Sequence, residues 1–338
     1  MQLEVLKKAI SDPTLLAQGY RFYDGYIFKA IRHPANIFDA ILIRNPSSAR
    51  SFGDSITGSL HSLSEHINYI NKYTLNKALV IADDISFLSQ CPTIKHLNIV
   101  PSVTFGDNFD FSPLYRLSEI RSLRCSTKYG KFGENSSSVD YAQIHGLEDL
   151  CVSTENDLNF QHISTLKKLS VSQYKGENLI GLCCSKVLDT LELNACSVRT
   201  LDGIETLPKI QCLYLAYNSQ LQDISSLGKA RETLKALRIQ KCSRICDFSV
   251  LSQLENLEYL FLAGGNHIPS LDFVDSLPNL KTLIIDMEVE DGNLLPCLRL
   301  SYAHCSRTRR HYNVKAKDLP KGVYYRGNDN IDLWRRVP

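Results

Sequence analysis

The stretch LDTLELNACSVRTLDGIETLPKI, Leu188–Ile210, sets an apolar residue or a cysteine at every second or third position. Leu188, Leu191, Leu193, Cys196, Val198, Leu201, Ile204, Leu207 and Ile210 give the pattern LxxLxLxxCxVxxLxxIxxLxxI. Two periods are joined in it. The alternation at Leu191 and Leu193 suits a strand with one buried face. The later spacing of three suits a 3₁₀-like arm, in which residues i and i+3 eclipse. One strand and one arm cannot bury their own apolar face, so the unit needs copies of itself on either side.

The copies are there. One runs Ile210, Leu213, Leu215, Asn218, Leu221, Ile224, Leu227, and another Leu234, Leu237, Ile239, Cys242, Ile245, Phe248, Leu251, Leu254. A fourth runs Leu257, Leu260, Leu262, Ile268, Leu271, Val274, Leu277, and a fifth opens with Leu280, Leu283 and Ile285. The first core leucine falls at 191, 213, 237, 260 and 283, at intervals of 22, 24, 23 and 23 residues. Upstream the period persists less regularly, at Leu79/Ile81, Leu97/Ile99, Leu123/Cys125, Leu150/Val152 and Leu169/Val171. Downstream, Leu295, Leu298 and Leu300 read as one last strand.

These residues resemble the leucine-rich repeat family, in its short 22-residue type seen in internalins and in a protein-phosphatase regulatory subunit. The resemblance implies an α/β-class solenoid with a parallel sheet on its concave face, short 3₁₀ or irregular convex arms, and a cap at each end. It covers about residues 74–300 and is most regular over 188–285. Residues 1–73 are then an N-terminal cap region and 301–338 a basic C-terminal cap, the whole forming a single domain. In that first region the runs YIFKAI and IFDAILI flank a hairpin turn at 32–36, and Leu60, Leu63, Ile67 and Ile70 keep helical spacing. The family usually has Asn three residues after the second core position, bonding backbone that the tight turn leaves unpaired. Here that slot holds Cys196, Asn218 and Cys242, then Gly265 beside Asn266. Two longer connections, after Ile99 and after Cys125, are expected as surface loops.

In a parallel solenoid sheet the side chains between the core leucines line up on the open face, about 4.8 Å apart from strand to strand. The central row reads Ser170, Glu192, Tyr214, Arg238, Phe261, Ile284, Arg299. Tyr259 stands beside it and Tyr217 at its rim. By the resemblance this is the concave surface. Tyr, Phe and Arg are the residue types enriched at interface hot spots. Tyr214, Tyr217, Arg238, Tyr259, Phe261, Ile284 and Arg299 are therefore the candidate partner-binding residues.

Composition limits the alternatives. Of 338 residues 43% are apolar and 22% charged, and the net charge is +2. That describes a globular chain with no overall bias toward polyanions. No run of about 18 apolar residues predicts a membrane span. The eleven cysteines, an odd number, follow an N-terminus without a secretory h-region. They predict thiols in a reducing, cytoplasmic setting. No CxxC pair announces a metal site, and Cys125, Cys196 and Cys242 fall at structural positions of the repeat. His304, Cys305 and His311 cluster without metal-ligand spacing, and GKFG at 130–133 lacks the Lys-Ser/Thr of a phosphate loop. No cofactor and no catalytic residue is predicted. The expectation is a non-enzymatic protein-binding scaffold, in its sharper form an inhibitor or immunity-type protein that clasps a partner enzyme. The alternative is nucleic-acid or acidic-partner binding by the basic C-terminal segment. From Arg299 on, Arg299, Arg307, Arg309, Arg310, Lys315, Lys317, Lys321, Arg326, Arg335 and Arg336 are interleaved with Tyr302, Tyr312, Tyr324, Tyr325 and Trp334.

Overall fold

The computed structural model describes residues 20–23, 26–29, 40–43, 63–72, 74, 76–82, 84–101, 109–125, 138–153 and 157–325. Where the sequence predicts one domain, contacts divide these residues into two compact units. The first runs to residue 151 and takes in 157–159, and the second comprises 152–153 and 160–325. The GKFG sequence at 130–133 and the hairpin turn at 32–36 lie outside the described residues.

In the first unit β1 (Tyr20–Tyr23) and β2 (Tyr26–Lys29) form an antiparallel hairpin. The sequence reading paired the 26–31 run with 37–43 instead. In the structure β3 (Ala40–Ile43) pairs in parallel with β4 (Lys77–Ala82). The helix α1 (Leu63–Lys72) lies between them in sequence and buries Ile67 and Ile70, as their helical spacing predicts. β5 (His96–Pro101) and β6 (Ser122–Cys125) continue the parallel ladder. After the two-residue strand β7 (Val139–Asp140), β8 (Asp149–Ser153) extends it again, and β9 (Asp157–Leu158) pairs with β7. β4 corrects a core assignment. Ala78 pairs with Leu97 and Val80 with Ile99, and both Ala78 and Val80 are fully buried. The predicted core pair, Leu79 and Ile81, is one residue out of step. KALVIA is apolar on both faces, so alternation cannot choose between them; the neighbouring strand does, and a slip of one residue exchanges the faces.

The second unit is the regular one. β10 (Lys168–Ser172), β11 (Thr190–Asn194), β12 (Cys212–Ala216), β13 (Ala236–Gln240), β14 (Tyr259–Ile268), β15 (Thr282–Val289) and β16 (Tyr302–Cys305) run parallel in sequence order. The register stacks Leu169, Leu191, Leu213, Leu237, Leu260 and Leu283 in one column. Val171, Leu193, Leu215, Ile239, Leu262 and Ile285 form a second, and no residue in either column is more than 3% exposed. Each such side chain contributes about 1.5–3 kcal/mol by leaving water.

A fixed turn ends each strand. Gln173, Ala195, Tyr217, Lys241 and Gly264 all have positive φ, between 53° and 64°. The first four donate their backbone N–H to the carbonyls of Asn194, Ala216, Gln240 and Ala263 in the next strand. The slot that follows is a buried ladder. Asn218 is fully buried; its Oδ1 accepts from the Cys196 N–H at 2.8 Å and its Nδ2 donates to the Leu193 carbonyl at 3.1 Å. The thiols of Cys196 and Cys242 donate to the equivalent carbonyls, Val171 at 3.5 Å and Leu215 at 3.8 Å. A cysteine S–H thus stands in for the amide donor, as a weaker donor.

The return arms are short 3₁₀ turns that share an entry. The Asp110, Asp223 and Asp247 carboxylates each accept from the backbone N–H two residues on, in Ser112, Ser225 and Ser249, at 2.8 Å. Asp84 does the same for Ser86. The sequence reading misses this Asp-apolar-Ser signature, which marks arms in both units.

The last repeat also differs from expectation. Leu295–Arg299 is a 3₁₀ arm, with Pro296 in its first turn. The last strand is β16, which pairs Ile284 with His304. The predicted boundary at 300 therefore cuts off a strand of the stack. Leu295, Leu298 and Leu300 imitate the LxxLxL spacing of a strand, but Leu295 and Leu298 are 55% and 45% exposed.

Candidate protein-binding face

In the second unit the face opposite the leucine columns is built from the residues between them. Register places Glu192, Tyr214, Arg238, Phe261, Ile284 and His304 in one row across β11 to β16. A second row holds Thr190, Cys212, Ala236, Tyr259, Thr282 and Tyr302. The face is less open than the sequence predicts. Tyr214 and Tyr259 are each only 5% exposed, while Arg238, Phe261 and Ile284 are half-buried. The Arg238 guanidinium lies 4.5 Å from the centroid of the Phe261 ring and donates to Gln240 Oε1 at 2.6 Å. This cation–π contact fixes the guanidinium over the ring. Arg238 Nε is buried without a hydrogen-bond partner.

Tyr217 sits at the rim, where the left-handed turn after β12 pushes its ring outward to 48% exposure. Lys241, in the same turn one repeat later, holds its ammonium 5.0 Å from that ring.

Arg299 does not belong to the face. It ends the 3₁₀ arm before β16, donates to the carbonyls of Val274 and Leu277, and lies 3.9 Å from Asp275. Its place in the row is taken by His304, which is exposed. The error follows from the misplaced last strand.

The C-terminal aromatics lie where the sequence leaves two alternatives. Tyr302, on β16, meets Tyr324 edge-on at 4.9 Å, and the Tyr312 hydroxyl accepts from the Val289 N–H. Three of the basic residues beyond Arg299 are engaged locally, Lys321 through the Ala303 carbonyl at 2.9 Å. Arg307 lies 3.4 Å from Asp286 and Arg309 2.9 Å from Glu288, and this pairing holds the Glu288 carboxyl below its usual range. Arg326, Arg335, Arg336 and Trp334 lie outside the described residues.

The thiols are unbridged. Burial pushes Cys242 up to about 11 and Cys91 and Cys297 up to about 12. A thiol so placed is a poor nucleophile. Cys305 donates to the Arg307 carbonyl at 3.2 Å, and His311 packs edge-on to Tyr312. Among the described residues no group of three or more His, Cys, Asp or Glu is placed to hold a metal ion, and no helix is long and apolar enough to cross a membrane.

No family model matches the chain. It is 28% identical over 187 residues to leucine-rich repeat-containing protein 56 of Rattus norvegicus, a match covering 54% of this chain and 28% of that protein. The chain spans about a quarter of the length of the curated relatives it matches. Among solved structures, an internalin of Listeria monocytogenes aligns over 70% of both chains at 17% identity, with a TM-score of 0.49. Internalin C2 of the same organism aligns over 68% of this chain and 93% of its own, at 20% identity and a TM-score of 0.43. With its parallel strands in register, its columns of buried leucine and its asparagine-type ladder, the chain has the fold of a leucine-rich repeat solenoid.

Proposed function

We propose that the chain is a non-enzymatic scaffold that binds a protein partner on the open face of its second unit. The partner docks across Arg238, Phe261 and Ile284, with Tyr217 at the rim. One observation carries the reading. Phe261 and Ile284 pair in register on adjacent strands, half-buried, on the face turned away from the leucine core. A guanidinium already fixed over the Phe261 ring gives a partner an anchor that loses little side-chain freedom on binding. The finer form of the reading is inhibition of a partner enzyme in the cytoplasm. Unbridged thiols suit a reducing compartment.

The test is quantitative affinity capture with the intact chain and with a Phe261→Ser, Ile284→Ser double variant. Proteins that bind this face are expected to be lost from the variant, whose leucine columns are untouched and whose cooperative thermal unfolding is the check that it still folds. An unchanged set of captured proteins overturns the reading. The inhibitory form is tested by adding the chain to the captured partner's own assay.

A further inference from the structure

At its last strand a stack of repeats needs a cover. Residues 306–321 supply one. Val314 and Leu319 are buried, the Leu294 N–H donates to Asn313 Oδ1, and the Ala303 N–H donates to the Pro320 carbonyl. Lys321 then bridges Tyr302 in antiparallel fashion. The chain continues past this cover. The Gly322 N–H donates to the Ser301 carbonyl, and the residues that follow turn back over the open face. The Tyr324 ring stands edge-on to Tyr302 at 4.9 Å and to Tyr259 at 6.4 Å. The Tyr325 N–H donates to Thr282 Oγ1 at 3.0 Å, and the Lys281 ammonium lies 5.0 Å from the Tyr325 ring.

Tyr302, Thr282 and Tyr259 are register partners on β16, β15 and β14. The segment thus crosses three strands against the chain order, and two of them are not edges. A cap has no need of that reach. Val323 is 81% exposed and Tyr324 37%, so the segment lies on the surface. Among the described residues it meets β14 through the Tyr324 ring and β15 through the bond from the Tyr325 N–H to the Thr282 hydroxyl. Its rings cover Tyr259, which the sequence marks as a partner contact.

We propose that residues 322–325 are an intramolecular ligand of the open face, and that a protein partner binds by displacing them. This rests on the reading of that face as the binding surface. Tyr324 and Tyr325 cover the row of Tyr259 and Thr282, which runs beside Phe261 and Ile284 on the same two strands, so a partner seated across both rows must displace them. Access to the covered row then depends on release of the segment, which a tether keeps at a high effective concentration.

The probe is a fluorescent synthetic peptide of residues 320–330, added to the full chain and to its Tyr324→Ser, Tyr325→Ser variant. The variant is expected to bind the peptide at least about tenfold more tightly than the unaltered chain, whose own segment competes. Adding Tyr259→Ala to the variant is expected to abolish binding. Equal binding to both chains, or none to the variant, overturns the proposal. Native-state hydrogen exchange on the unaltered chain supplies a check that needs no variant. The Tyr325 amide should exchange by an opening that leaves the β14 and β15 amides protected. Exchange of all of them together makes the segment a fixed cap and overturns the proposal. Neither experiment involves a partner, so a negative result leaves the reading of Phe261 and Ile284 standing.

Discussion

Asn218 does at one position what the repeat needs at every turn. Both its amide bonds are buried, one to the Cys196 N–H and one to the Leu193 carbonyl. Asn218→Ala leaves both groups dry and unpaired, at about 1–3 kcal/mol each. We expect a loss of roughly 2–5 kcal/mol in urea unfolding, where truncating a surface side chain that makes no such bonds costs about 0.5 kcal/mol at most. The turn before the slot makes a second prediction. Ala195 has φ of 53°, a region that costs an L-residue about 1–2 kcal/mol and glycine nothing. Glycine also gains freedom in the unfolded chain, which offsets part of the relief. Ala195→Gly is therefore expected to stabilise by up to about 1 kcal/mol in the same measurement. The sequence shows that slot through its spacing alone, since Cys196, Asn218 and Cys242 recur at one offset. The left-handed residue ahead of it is not legible. Gln173, Ala195, Tyr217 and Lys241 share no chemistry, and only the next strand's carbonyl holds them there.

At the scale of the element, the arm entry is the clearest gain of structure over sequence. Asp247 accepts from the Ser249 backbone N–H, and that bond, with the Ser249 hydroxyl, lowers its pKa. A carboxyl whose folded pKa is depressed takes up protons more readily when unfolded. Its stabilisation is present above the unfolded value, near 4, and is lost as pH falls through the folded one. Asp202 and Asp140 are lowered in the same sense, by Ser226 and Thr200 and by Asn159 and Gln143. The melting temperature should drop on acidification through the carboxylate range, and Asp247→Ala should flatten part of that drop at the cost of a lower plateau near neutrality. An identical acid limb in the variant would mean that Asp247 contributes nothing to the arm. Strands from Leu188 to Ile285 are legible because the interval hardly varies and each repeat carries the same paired core positions followed by an arm of apolar residues three apart. β4 was misregistered because KALVIA has no polar face to break the tie. The final strand was displaced because Leu295, Leu298 and Leu300 share the spacing of a strand while forming an arm, and Arg299 was carried onto the wrong surface with them. The open face was legible as a list of residues and not in its exposure, because no local pattern says that Tyr324 folds back onto Tyr259.

Across the whole molecule the cysteines act as small core residues, and that use has a pH signature opposite to that of the aspartates. Eight of the eleven are buried, Cys151 is half-buried, and Cys184 and Cys246 are exposed. A thiol reagent should therefore modify Cys184 and Cys246 at once, Cys151 more slowly and the other eight only on unfolding. Cys91, in the first unit, and Cys297, in the second, are pushed up to about 12 by burial, from 9.0 for an unburied thiol. Between those values the folded chain holds a proton that the unfolded chain has released. Stability is fully present below about 9 and falls with rising pH, by about 1.4 kcal/mol per pH unit for each such thiol. Tyrosines and lysines also titrate there, so the bare pH profile does not isolate the thiols. The difference between the chain and its Cys297→Ala variant does. Alanine lacks the ionisable group, so the variant starts less stable at pH 8 and should lose stability less steeply from pH 9 to 11. Urea unfolding at each pH gives both curves, and parallel curves would show that the Cys297 thiol reaches water in the folded chain and is not part of the core.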